Sequence, residues 1–181
     1  PIQRGNLVHW SLENFWNQVH RSSALENIVQ VQEWITNSIE AALERFEKYY
    51  PGLIKTNFRR LEALRLNILL HDFLDLEKSR TPFIVEASEE KGELSLGGLT
   101  FRVRIDRLDR LEHSDQFILL DYKSGTGNSS TSWFQQRITE PQLPLYAVNL
   151  EEGTLAAVAF AQVHNRECNF KGIQAEEASL P

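Results

Sequence analysis

Methionine is absent from the 181 residues, and cysteine occurs once, as Cys168. A single thiol excludes a disulfide framework, a Cys-rich zinc site and a four-cysteine iron–sulfur cluster within the chain. It also points to a reducing, cytoplasmic compartment. No apolar run approaches the roughly 20 residues of a membrane span, and no basic-then-apolar leader opens the sequence. With no methionine even at position 1, and an abrupt start at Pro1-Ile2-Gln3-Arg4-Gly5, the chain reads as one domain excised from a longer protein. A basic surplus is lacking too. The net charge of −6 is unlike the basic face of a general nucleic-acid binder.

What is present is an ordinary globular composition, with 41% hydrophobic and 24% charged residues. A chain of this size buries roughly 70% of its unfolded surface and needs no covalent staple. The acidic excess is uneven. Residues 1–82 carry ten basic and ten acidic side chains, whereas residues 83–181 carry nine and fifteen. Solubility accounts for such a surplus, but so does a set of carboxylates converging on a cation.

Apolar spacing divides the chain at the same place. Leu7, Val8, Leu12, Phe15, Trp16 and Val19 recur at three and four residues, and a second helical pattern runs from about Ala24 to Tyr50, stopped by Pro51-Gly52. A third, from about Asn57, repeats Leu61, Leu64, Ile68 and Leu69 before Thr81-Pro82 ends it. Beyond Pro82 the period is two. Strands are expected at Phe83–Val85, Leu94–Leu96, Leu99–Ile105 and Phe117–Leu120, with a turn at Gly97-Gly98 and a loop from Gly125 to Ser132. A helix from Pro141 to Leu150, closed by Gly153, precedes a last strand from Leu155 to Val163. The expected class is α/β, with a mixed central sheet flanked by helices and preceded by an N-terminal helical region.

The chemistry gathers after Pro82. Asp121-Tyr122-Lys123 follows the buried run directly, and residues two apart on a strand share a face. Alone, this is an ion pair or a solvated strand end. Asp106 ends an alternating strand fifteen residues earlier, and Glu112-His113-Ser114-Asp115 reads as the intervening hairpin turn. Antiparallel pairing then brings Asp106 near Asp121. Two adjoining carboxylates repel unless a cation lies between them. A hard divalent cation is the economical expectation, with Lys123 left for a reacting water or phosphate. Asp109 competes for this role, but its parity is that of the buried residues. His9 lies on the apolar face of the first helix, where a lone histidine reads as packed core. Gln142 and Tyr146, four apart, share a face of the late helix, and the flanking Pro141 and Pro144 allow Gln142 to be aimed into a cleft.

In order, Gly5-x-x-x-His9, Ile105-Asp106-Arg107-Leu108-Asp109, Leu120-Asp121-Tyr122-Lys123-Ser124-Gly125 and Pro141-Gln142-Leu143-Pro144-Leu145-Tyr146-Ala147 resemble the RecB-type nuclease domain. That domain belongs to the PD-(D/E)XK, restriction-endonuclease-like superfamily. The resemblance spans about Gly5 to Phe160. It implies a single nuclease domain over residues 1–181, helical over 1–82 and with a sheet-containing catalytic core over 83–181. His9, Asp106, Asp121 and the Tyr122 carbonyl would hold Mg²⁺, or Mn²⁺. Asp106, Asp121, Lys123, Gln142 and Tyr146 would form the catalytic set, with Lys123 orienting the water and Gln142 and Tyr146 supporting it or touching the DNA backbone. Glu86 lies where relatives often carry an acid on the first strand. The iron–sulfur cysteines of some relatives are missing, so no such cluster is implied.

The implied function is hydrolysis of DNA in repair or recombination, beside a helicase or helicase-like partner and without a membrane role. Two other classes fit parts of the pattern. A catalytically silent relative would bind DNA or scaffold a repair complex, although the intact Asp106, Asp121 and Lys123 oppose it. An α/β interaction module would leave Asp106 and Asp121 far apart.

Overall fold

A computed structural model describes residues 2–53, 55–96, 98–114, 116–125, 130–136, 138–148, 155–165, 167–175 and 180–181. Three long helices come first: α1 (Ile2–Val19), α2 (Ile28–Tyr49) and α3 (Thr56–Lys78). Asn27 caps α2, its side chain accepting from the Gln30 N–H at 3.3 Å, which satisfies one of the unpaired donors of the first turn. Leu7, Val8, Leu12, Phe15 and Trp16 of α1 are buried against Val31, Ile35, Ile39, Leu43 and Phe46 of α2 and Leu66, Leu69, Leu70 and Phe73 of α3. Each such side chain contributes about 1.5–3 kcal/mol by leaving water.

The sheet follows, as β1 (Phe83–Leu96), β2 (Leu99–Leu111), β3 (Phe117–Lys123), β4 (Leu155–His164) and β5 (Glu167–Gln174). Neighbour order equals chain order. β1–β2, β2–β3 and β4–β5 are antiparallel, and β3–β4 is parallel. A parallel pair needs a crossover. The connection between β3 and β4 contains a 3₁₀ turn (Ser130–Phe134) and the short helix α4 (Gln142–Ala147). The sheet is covered on both faces. Tyr122, Ala161 and Val163 face α1–α3, while Leu119, Val158 and Phe160 pack with Leu143 of α4. This is a restriction-endonuclease-like α/β architecture, with a mixed sheet, flanking helices and a helical N-terminal part.

Three expectations are corrected. Phe83–Val85 and Leu94–Leu96 belong to one continuous strand, because β1 pairs with β2 along its whole length, from Phe83–Leu111 to Leu96–Leu99. Leu155–Val163 is not the last strand, since β5 follows and pairs antiparallel with β4. Finally, Leu61, Leu64 and Ile68 of α3 lie on its solvent side, the core face being Leu66, Leu69, Leu70, Phe73 and Leu74. The loop residues 126–129, Gly97, Asp115 and Gly153 lie outside the described residues.

Beneath the junction of α3 with β2 lies a charged quartet closed to solvent. Arg107 donates to Asp109 at 2.6 Å and to Glu77 at 2.9 Å. Arg80 donates to Glu77 at 2.6 Å and to Asp109 at 2.8 Å. Trp16 and Phe83 supply aromatic faces 4.0 and 4.1 Å from the guanidinium carbons of Arg107 and Arg80. Two cations and two anions cancel, so the cluster is neutral as a unit.

Candidate metal centre

Three adjacent strands place three acids in a row. In β1–β2, Ser88 lies opposite Arg107 and Glu90 opposite Ile105, which sets Glu89 across from Asp106. In β2–β3, Arg107 lies opposite Leu120, which sets Asp106 across from Asp121. Directly opposed residues share a face, with Cβ atoms about 4.5–5.5 Å apart. A β-bulge decides the first of these pairings. The register slips by one residue between Val85 and Ala87; continued without that slip, it would put Ser88 opposite Asp106. Glu89 itself has φ 56°, the left-handed region. A non-glycine residue there stores on the order of 1–3 kcal/mol of strain and is retained where the surroundings fix it.

α1 supplies the histidine. A Cβ added at Gly5 would meet Ser124 Oγ at 3.0 Å, so glycine lets α1 come close to the end of β3. One turn later His9 reaches the row, its Nδ1 lying 3.4 Å from Asp106 Oδ2 and 3.6 Å from Glu89 Oε1. Asp106 Oδ2 also accepts the Tyr122 backbone N–H at 2.7 Å. His9, Asn6, Trp10, Glu89, Arg104 and Asp121 help to line a cleft of about 330 Å³.

Every acid of the row meets a cation. Glu89 pairs with Arg104, Asp106 with His9, and Asp121 Oδ2 with Lys123 Nζ at 2.8 Å. Lys123 Nζ is also 2.7 Å from Glu140 Oε2. Burial works against a charged His9, but hydrogen bonds and charge from Asp106 and Glu89 outweigh it and push the imidazole up to about 10. Burial raises the Asp121 carboxyl and the Asp106 charge raises it further; Lys123 offsets part of this, leaving it at about 6. Burial likewise disfavours the Lys123 ammonium, yet Asp121 and then Glu140 hold it above the usual lysine range.

The other expected residues fall in distinct places. Gln142 lines the cleft and its side chain donates to the Arg104 carbonyl. Tyr146 packs against the cluster of Ile105, Leu119, Leu143 and Phe160. The Tyr122 ring turns into the helical core, edge-on to Phe73, with its hydroxyl 3.3 Å from Arg107 Nη1. Glu86 is outside the row and accepts from Arg110 at 2.6 Å. Asp109, the competitor of Asp106, belongs to the buried quartet. Sequence reasoning missed Glu89, Arg104 and Glu140. Glu140 had one signal, an acid directly preceding the proline that opens α4.

One ligand atom each from His9, Glu89 and Asp106 lies within 4.8 Å of the others. Two hard carboxylate oxygens and one imidazole suit Mg²⁺ or Mn²⁺, the nitrogen favouring the latter. The residues present therefore fit a divalent cation. The family model described as the PD-(D/E)XK nuclease superfamily matches residues 1–178. The chain belongs to that superfamily. Its nucleases use divalent metals and act on DNA, in keeping with the acidic row and the histidine. No curated protein matches the chain significantly. Among solved structures, "Crystal structure of SSO0001" aligns over 94% of this chain at 13% identity, with a TM-score of 0.30. The chain spans 65% of that protein's length, and so loose a likeness carries no argument. No helix among the described residues is long and apolar enough to cross a membrane.

Proposed function

We propose that this superfamily member is a RecB-type, Mg²⁺-dependent deoxyribonuclease that hydrolyses phosphodiester bonds in DNA repair or recombination, working beside a helicase in the cytoplasm. The observation that carries the catalytic reading is the row Glu89, Asp106 and Asp121, met by His9 between Glu89 and Asp106 and by Lys123 at Asp121. The RecB-type assignment, and with it the helicase partner, rests on Gly5-x-x-x-His9, the Asp106-Arg107-Leu108-Asp109 run and the Gln142 to Tyr146 segment.

His9, Asp106, Asp121 and the Tyr122 carbonyl hold the cation in this reading, with Glu89 as an added ligand. When bound, the cation supplies Lewis-acid polarisation of the phosphate and activation of the attacking water. Lys123 is a compact ammonium fixed between Asp121 and Glu140. It orients the water and neutralises charge that builds on the phosphate oxygens as the new P–O bond forms and the old one breaks. Gln142 ties α4 to β2 through the Arg104 carbonyl, and Tyr146 anchors α4 on the sheet.

A nicking assay on plasmid and single-stranded DNA in Mg²⁺, Mn²⁺ or EDTA tests the reading. Cleavage is expected with either metal and not with chelator, and Lys123→Ala should abolish it. A parent protein that binds DNA but cuts neither substrate in either metal is instead a silent DNA-binding module, and the nuclease reading fails.

A further inference from the structure

Arg104 is the one cleft-lining arginine, among the described residues, whose guanidinium lies on a carboxylate of the candidate centre. Its backbone is fixed, since β2 pairs it with Lys91 and the Gln142 side chain donates to its carbonyl. Its side chain is not confined in the same way. It is 44% exposed, whereas its partner Glu89 is 4% exposed. A nearly buried carboxylate in the cation-binding triplet thus has a half-exposed guanidinium as counter-ion, reaching in from the mouth of the cleft.

The two roles of Glu89 conflict. A carboxylate engaged by a guanidinium is a poorer ligand for a cation, and placing a divalent cation beside Arg104 sets like charges together. The guanidinium is partly exposed and can turn toward solvent, where it would meet a phosphate of nucleic acid entering the cleft. Guanidinium geometry suits carboxylate and phosphate equally well.

We propose that Arg104 is a partner-exchanging residue: it neutralises Glu89 while no cation is bound, and turns to a backbone phosphate of the nucleic acid once a divalent cation takes Glu89. This rests on the proposed metal-dependent nuclease reading and adds a specific order to it. Cation binding frees a positive charge at the cleft mouth, so the cation strengthens nucleic-acid binding through the protein as well as directly. The reciprocal follows from linkage: nucleic acid that holds Arg104 away from Glu89 raises cation affinity by the same factor.

The test measures binding of Mn²⁺ alone by calorimetry for the parent, Arg104→Gln, Arg104→Lys and Glu89→Gln, with thermal melts to confirm that each is folded. Fluorescence anisotropy with a labelled single-stranded oligonucleotide follows, in EDTA and in Ca²⁺. Glu89→Gln should weaken Mn²⁺ binding at least several-fold. Arg104→Gln should strengthen it several-fold, while Arg104→Lys, which keeps the charge, should stay nearer the parent. In Ca²⁺, Arg104→Gln should bind the oligonucleotide several-fold more weakly than the parent, with a salt dependence lower by about one counter-ion. In EDTA, with Arg104 held by Glu89, the two proteins should differ little. Unchanged or weaker Mn²⁺ binding by Arg104→Gln overturns the exchange. So does stronger Mn²⁺ binding combined with unchanged oligonucleotide affinity in Ca²⁺. Parent protein that binds no Mn²⁺, or whose binding ignores Glu89→Gln, overturns the metal reading itself, a separate result.

Discussion

Asp109→Ala should be among the most destabilising single substitutions in this chain. Its carboxylate accepts from Arg107 Nε at 2.6 Å, Arg107 Nη2 at 2.8 Å and Arg80 Nη2 at 2.8 Å, and the quartet around it is closed to water. Removing it leaves two guanidiniums against Glu77 alone, one uncompensated positive charge in the interior. Breaking a buried pair from one side costs about 3–5 kcal/mol. For a chain of this size each kcal/mol moves Tm by about 2–4 °C, so Tm should fall by about 6–20 °C. Thermal and urea melts in chelator measure it without reference to activity. Adding Arg80→Met removes the surplus cation. The double variant should then lose less than the sum of the two singles, by about 1–3 kcal/mol. A loss under about 1 kcal/mol for Asp109→Ala, with strict additivity in the double variant, would mean that the quartet is not a desolvated charge cluster.

Lys123→Ala should cut cleavage by about 100-fold or more while leaving DNA affinity in Ca²⁺ nearly unchanged, because the ammonium acts on charge that develops in the transition state. Lys123→Arg should also fail, since a planar fork does not replace a compact ammonium; near-parental cleavage rates in either variant would remove Lys123 from the chemistry. The Asp121 carboxyl is held at about 6, above its unfolded value, so its contribution to stability is present below about pH 4 and is lost as pH rises through 6. Asp121→Asn in EDTA should therefore raise stability at pH 7, by up to about 3 kcal/mol, and change it little at pH 3.5; a loss at pH 7 refutes the sign. Metal-free His9 is protonated at neutral pH, whereas a ligating imidazole is neutral. Calorimetry of Mn²⁺ in buffers of different ionisation enthalpy should therefore show release of about one proton at pH 7, and no release would place His9 outside the metal's ligand set.

The helical part was legible because its signal is local. Trp16, Leu12 and Phe15 announce the buried face of α1 at the right spacing, and Pro51-Gly52 marks the end of α2, with Gly52 at φ 79°. Periodicity does not say which of two apolar faces meets the core, however. α3 carries Leu61, Leu64 and Ile68 on one side and Leu66, Leu69, Leu70 and Phe73 on another, and tertiary packing selects the second. β5 escaped notice for a related reason. Glu167-Cys168-Asn169-Phe170-Lys171 does alternate, but it offers only two apolar residues, Cys168 and Phe170, before Gly172 breaks the pattern, too short a run to stand out as a strand. Gly172 there answers a need visible only in three dimensions. A Cβ would come within 2.0 Å of the Val158 carbonyl oxygen on β4.

The candidate site divides along the same line. Asp106, Asp121 and Lys123 could be brought together from strand parity and a hairpin, because β2 and β3 pair without a slip from Arg107 to Arg110. Glu89 could not. On the strand as written, the residue facing Asp106 is Ser88, and only the extra residue at the Val85–Ala87 bulge carries Glu89 into that position. A one-residue shift of register exchanges the faces of every side chain beyond it, and nothing in the local composition marks where it falls. The charge surplus was misleading in the same way. A net −6 suggests a cleft that repels an anion, yet the three acids that matter are each met by His9, Arg104 or Lys123. The excess negative charge is elsewhere on the chain. Total charge is a sum over all residues, whereas binding depends on the few that a register places side by side, so the acidic row and its resident cations become visible only once the strands are paired.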